Sequence, residues 1–285
     1  MAAVARIASR GARAAVFVAA FAVLFWPTFQ WMAERFDRSD AFYSHGWLIP
    51  LASAWLIWLR RDRLSRLSPS PSFAGLFLLI PSAIIHVLAS WWSVNVLSGF
   101  AMVAAVWGMV WTLWGWQTFQ AVRGPLAFLL FMVPLPGILL VAVSFKMKLA
   151  AAAAVTWLLH LLGIPAAQAG SMIHVPGVTI LIDDTCSGLR SLLSLVALAT
   201  LWAAMLPARA ARWHRLAVVA ASIPIALAAN IARILILVLL AIFAGTPAAE
   251  GFIHYGSGLV VFGVALLALA GLSRALLGRP AGERA

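Results

Sequence analysis

Apolar runs about twenty residues long, with few or no charges, recur from one end of the chain to the other. A helix rising 1.5 Å per residue needs that length to cross a hydrocarbon core of about 30 Å. Eight runs stand out, over 14–33, 46–60, 73–92, 94–116, 124–143, 187–206, 214–243 and 253–273. Backbone groups in lipid must be satisfied within the segment itself, so each run reads as a helix. Composition agrees: 64% of residues are hydrophobic and 10% charged, against about 25% charged in a soluble domain. That leaves too little polar surface for a water-soluble globule, a disordered chain or a small disulfide scaffold. Cys186 is the only cysteine, which excludes an intrachain disulfide and a Cys-rich metal site. The expected fold class is an all-α, polytopic integral membrane bundle of about eight transmembrane helices.

Two stretches depart from simple spans. Segment 124–143 contains Pro134-Leu135-Pro136-Gly137, so it is expected to be broken or re-entrant there. Stretch 147–162 is helical in composition but short, and is expected at the interface. Residues 168–182 flank a Val175-Pro176-Gly177 turn with β-branched residues, the pattern of a small hairpin on the outer face, just before Cys186. No removable signal peptide is expected, because the first apolar run lacks a small-residue cleavage site.

The net charge of +12 would point to nucleic acid in a soluble protein. Here it has a topological reading. With the N-terminus cytoplasmic, five inner segments carry the arginines, among them Arg6, Arg60, Arg123, Arg212 and Arg274. The outer segments carry only Arg35, Arg38, Lys146 and Lys148 beside several acids. This is the positive-inside pattern with both termini cytoplasmic. Membrane lipids are therefore expected partners, and nucleic acid is not. Arg190 and Arg233 remain, inside spans, where a charge costs several kcal/mol unless paired or wetted.

Counting helical rise from the cytoplasmic arginines places three reactive groups at one depth. Arg233 lies about 18 residues, or ~27 Å, from Arg215. Cys186 lies about 23 residues, or ~34 Å, from Arg209, and His254 about 20 residues, or ~30 Å, from Arg274. Asn230 shares the Arg233 face, and Ser187, Arg190, Ser191 and Ser194 follow Cys186 at helical spacing. A lone cysteine is usually a small buried hydrophobe, but a helix N-terminus and a nearby Arg lower a thiol pKa. Thiol, guanidinium and imidazole are the groups that covalent acyl transfer uses. Asp183-Asp184 reads either as a substrate contact or as a cap. No His-Glu-x-x-His zinc motif and no phosphate-binding glycine loop occurs, so neither a metal nor a cofactor is called for. The remaining histidines are too scattered to form a metal cluster.

The blocks Thr185-Cys186-Ser187-Gly188-Leu189-Arg190-Ser191-Leu192, Asn230-Ile231-Ala232-Arg233-Ile234 and His254 with Gly258 and Phe262 resemble the exosortase/archaeosortase family. A fourth likeness is Tyr43-Ser44-His45-Gly46-Trp47-Leu48-Ile49-Pro50 followed by Leu59-Arg60-Arg61. The resemblance runs from about Phe42 to Phe262 and implies a single membrane domain over 1–285. It implies Cys186 as nucleophile, Arg233 as transition-state stabiliser and His254 as proton shuttle, with Arg190, Asn230 and Ser187 in support. It also implies a place in the bacterial inner membrane with the site on the periplasmic face. The implied partners are exported proteins ending in a short motif, a hydrophobic helix and a basic cluster. Such a protein cleaves the tail through a thioester and passes the new C-terminus to an acceptor or to water. The competing classes are a transporter or channel, and a non-catalytic assembly factor for envelope polysaccharide. A transporter is expected to place its ionisable groups near the midplane, whereas these cluster near one surface.

Overall fold

A computed structural model of the chain describes residues 15–38, 42–183, 186–207, 210–245 and 252–277, without the side chains of 252–255 and 277. It is a helical bundle whose residues gather into two compact units, Met1–Leu135 and Pro136–Ala285.

The first unit opens with α1 (Ala15–Leu24) and α2 (Trp26–Asp37), bent by 63° at Phe25. Pro27 sits in the first turn of α2 and has no N–H to continue the ladder, so the apolar run expected as one straight span is broken here. A 3-10 turn, Ser44–Trp47, leads into α3 (Leu48–Trp58), and the one-turn α4 (Arg61–Leu64) follows. The hairpin of α5 (Leu76–Trp91) and α6 (Asn95–Trp114) then packs closely. Gly108 permits this, since a Cβ there would stand 2.7 Å from the Leu79 nitrogen. α7 (Trp116–Phe128) and a 3-10 turn, Leu129–Met132, end the unit.

The bend is pinned by a buried polar cluster. His86 on α5 is 3% exposed and its Nε2 donates to the Leu24 carbonyl at 2.8 Å. That bond assigns the tautomer, leaving Nδ1 to accept from Ser98 Oγ at 2.7 Å. Thr28 Oγ1 lies 2.5 Å from Ser98 Oγ. His86, one of the scattered histidines, thus secures a carbonyl at the helix break.

The second unit begins with α8 (Gly137–Leu161). This is a correction to the expected division: Pro134 and Pro136 break the 124–143 run, but 147–162 is no separate interfacial helix. It continues α8 without interruption for 25 residues, because the run Ala150–Ala154 is made of the strongest helix former and no breaker follows before Gly163. Lys146 and Lys148 therefore lie inside a helix. Next come β1 (Ala167–Ala169), β2 (Met172–Val175) and β3 (Val178–Leu181), an antiparallel sheet in that order. Pairing runs Gln168↔Ile173 and His174↔Thr179, and the Pro176-Gly177 turn joins β2 to β3. β1 is thus an addition to the two strands expected. α9 (Leu189–Met205), α10 (Arg212–Ala244) and α11 (Phe252–Leu277) complete the unit.

Among the described residues, five helices are long and apolar enough to cross a membrane, or six if the bent α1–α2 pair counts as one span. The expected number was about eight. The shortfall has local causes: the first span is bent, and α3 has 11 residues and α9 has 17, each short of the ~20 that a perpendicular crossing takes. The Ser44–Trp47 turn shortens α3, and Gly188 and Pro207 trim α9.

Two cores organise the second unit. One joins α8 (Ala152, Val155, Leu159), the sheet (Ile173, Val175) and α10 (Ile234, Val238), and includes Cys186. The other joins Leu195 and Ala199 of α9, Val218 and Ala226 of α10, and Ala265 and Leu269 of α11. α10 has 33 residues, about 50 Å of helix, so it overreaches a ~30 Å hydrocarbon core by ~20 Å. A sheet that does not close into a barrel is not tolerated by hydrocarbon. The first core, which holds the sheet against the last turns of α10, therefore belongs at or beyond the membrane surface.

Candidate functional site

Helix lengths bring the site together. Arg215 near the start of α10 donates to the carbonyls of Ala203, Leu206 and Pro207 at 2.8–3.1 Å, capping the end of α9. From that joint α9 returns ~26 Å to Leu189, and α10 climbs ~27 Å from Arg212 to Asn230. The two arrive at one level. There Asn230 Nδ2 donates to the Cys186 carbonyl at 3.0 Å. α11 is pinned to the same bundle at both heights. Ser273 accepts from Trp202 Nε1 at 3.2 Å near the joint, and Ser257 Oγ accepts from Arg233 Nε at 3.3 Å near the site.

Cys186 lies in a turn that its own neighbours hold. Its N–H meets Asp183 Oδ1 at 3.0 Å and the Asp183 carbonyl at 3.2 Å. Of the two readings of Asp183, capping is the one with a visible contact; Asp184 and Thr185 lie outside the described residues. Ser187 is 1% exposed, and its Oγ accepts from Leu189 N at 3.4 Å, satisfying one of the first amides of α9. Gly188 has φ +77°, the left-handed region that suits glycine. A Cβ there would lie 2.6 Å from Asn230 Cγ, so the turn and α10 meet with no room between them.

Arg233 is half-buried one turn beyond Asn230, and its guanidinium carbon would be 3.6 Å from a Cβ placed on Gly258. A cavity of about 10 Å³, the size of one water, is lined by Ser191, Asn230, Arg233 and Phe262 among others. Arg190 is half-buried in the first turn of α9. His254 falls in the first turn of α11, where its side chain lies outside the described residues. The structure thus joins the Cys186 turn to Asn230, and Arg233 to Ser257, three residues after His254. Among the described residues no three His, Cys, Asp or Glu side chains gather as a metal site.

Two glycines of the quoted blocks gain a role only from the fold. Gly188 is visible as a glycine before a helix, but its contact with Asn230 spans 42 positions and exists only in the fold. Gly258 likewise becomes meaningful only when Arg233 is seen against it. The Tyr43 block has an internal role in the first unit: the Tyr43 hydroxyl accepts from Leu135 N at 3.1 Å, and His45 stacks on the Tyr43 ring at 5.7 Å. Burial pushes the Tyr43 hydroxyl pKa up, opposed by the Leu135 bond, and burial pushes the His45 imidazole down.

These features define a multi-span, all-α membrane protein with one buried thiol at the mouth of a three-helix bundle. Residues 31–271 match the model of a known family, the transmembrane exosortases (Exosortase_EpsH). The match covers most of the chain, and the protein belongs to that family, whose terms are protein sorting and the cell envelope. Neither a curated protein nor a solved structure matches the chain.

Proposed function

We propose that the protein is a cysteine peptidase or transpeptidase that cleaves the C-terminal sorting tail of exported proteins at the outer face of the cytoplasmic membrane. The observation that carries this reading is the bond from Asn230 to the Cys186 carbonyl at 3.0 Å. It sets the only thiol of the chain against the turn of α10 that carries Arg233. Membership of the exosortase family supports exported proteins as the substrate class.

In the proposed reaction His254 takes the Cys186 thiol proton, and Sγ attacks the scissile carbonyl carbon. Arg233 faces the oxygen that becomes negative, and donors at such a position are worth most where water is excluded. The C–N bond breaks, His254 returns its proton to the leaving amine, and the substrate's new C-terminus remains as a thioester on Cys186. An amine, a hydroxyl or water attacks the thioester carbon and regenerates the thiol. Arg190 and Ser187 support the turn and its charge.

The sheet and the last turns of α10 form a platform above the lipid, and the substrate's hydrophobic helix holds its motif beside that platform. Confinement to the membrane raises the effective concentration of the scissile bond. Cys186→Ala is expected to abolish tail removal in cells, with the uncleaved precursor accumulating in the membrane. Arg233→Lys is expected to lower the rate by roughly 10²-fold, as loss of an oxyanion donor does. Normal processing by Cys186→Ala would sink the reading. A substrate fragment trapped on Cys186 as a hydroxylamine-labile adduct would be its strongest support.

A further inference from the structure

We infer that Asn230 is the positioning residue of the Cys186 turn, acting through the backbone of that turn and not on the substrate. The inference rests on the reading of Cys186 as nucleophile, and two independent contacts carry it. The first is the bond from Nδ2 to the Cys186 carbonyl, made by a side chain only 5% exposed. A buried amide within an apolar helix costs free energy unless it is bonded, and here the acceptor is the backbone of the thiol-bearing residue itself.

The second contact is steric. Gly188 takes φ +77°, and the space where its side chain would stand is filled by Asn230: Cγ at 2.6 Å, Nδ2 at 2.7 Å and Cβ at 2.9 Å. Asn230 therefore holds one end of the Cys186-Ser187-Gly188 tripeptide by a hydrogen bond and the other by contact. Leu189 begins α9 directly afterwards, so the lock also sets where the thiol-bearing turn meets a helix N-terminus, an end that stabilises a thiolate brought to it. Arg233 lies one turn further on α10, so one helix segment fixes both the turn and the guanidinium. Errors of about 1 Å in such placement cost about 10²-fold in rate.

Cys186 is the only thiol of the chain, so alkylation of the purified full-length protein in detergent micelles reports on it alone. The rate of iodoacetamide modification would be followed by intact mass from pH 5 to pH 10. In Asn230→Leu, which keeps the branching at Cγ but cannot donate, the midpoint of the pH–rate profile is expected to rise by about half a unit or more, because the thiol-bearing turn is no longer held at the start of α9. Gly188→Ala is expected to shift it in the same direction. Asn230→Ala removes Cγ and Nδ2 from the space above position 188, so Gly188→Ala should add less in that background than alone.

Midpoints unchanged or lowered in both Asn230→Leu and Gly188→Ala, with thermal stability like the parent's, would overturn the inference, as would fully additive effects in the double variant. Should one single variant not accumulate, the other still decides. The measurement needs no substrate. Processing by Cys186→Ala would therefore remove the catalytic reading while leaving the effect of Asn230 on the thiol measured.

Discussion

A half-buried imidazole outside the spans, His45, gives the residue scale its clearest pH signature. Burial lowers the His45 pKa, so the folded chain favours the neutral ring. Its contribution is intact above the unfolded value, about 6.5, and is lost as pH falls through that value towards the lowered folded one. Thermal stability in micelles is expected to decline between pH 7 and pH 5, and His45→Gln to flatten that decline. An equal decline in His45→Gln would assign the effect to another group. At the candidate site, the sequence offers Cys186, Arg233 and His254 as reactive types expected at one depth. What holds Cys186 in place was not legible there, because Asn230 and Gly188 meet only when α9 and α10 lie side by side.

At the scale of elements, prolines and capping groups decide where apolar runs stop being helices. The bent first span shows this: Pro27 deprives a carbonyl of its donor, and His86, Ser98 and Thr28 supply polar partners around the break. His86→Leu leaves the Leu24 carbonyl and two buried hydroxyls short of partners. It is expected to destabilise the protein by about 1–3 kcal/mol, seen as a lower Tm in micelles, whereas Ser90→Ala, at the exposed margin of the cluster, should change little. A Tm for His86→Leu equal to the parent's would mean that the bend does not depend on the cluster. The break at Pro134-Leu135-Pro136-Gly137 was legible in the sequence, but other interruptions were not. Phe25, the Ser44–Trp47 turn and Gly188 end helices inside apolar sequence, and α8 runs through Lys146 and Lys148, where charge had argued for a boundary.

For the whole molecule, the lengths of the helices turn a sequence-based topology into a measurable one. On the proposed orientation α10 enters the hydrocarbon near Arg215 and needs about 20 residues to cross ~30 Å, which places its final turns at the outer surface. In a Cys186→Ala background, Phe243→Cys, at a residue 78% exposed, is expected to react in intact cells with a maleimide that does not cross membranes. Leu227→Cys, at mid-span, is expected to stay unlabelled. Labelling of Phe243→Cys only after the cells are opened would invert the proposed orientation. The classification as a multi-span membrane protein follows from composition alone, because so apolar a chain has no other solvent. The number of crossings does not, because α3 and α9 prove too short to be counted by length.

The overhang of α10 makes the protein a gauge of distance. On the proposed orientation, α10 with Arg215 near one membrane surface sets how far the Cys186 turn stands from the other. On the proposed reading, a substrate reaches the thiol only when the chain between its own membrane helix and its scissile bond spans the same interval. Each extended residue covers about 3.3 Å. A change of two or three residues in that spacer therefore moves the bond by more than the width of the turn that waits for it. Selection among exported proteins then depends on the measured length of a tail as much as on the letters of its motif.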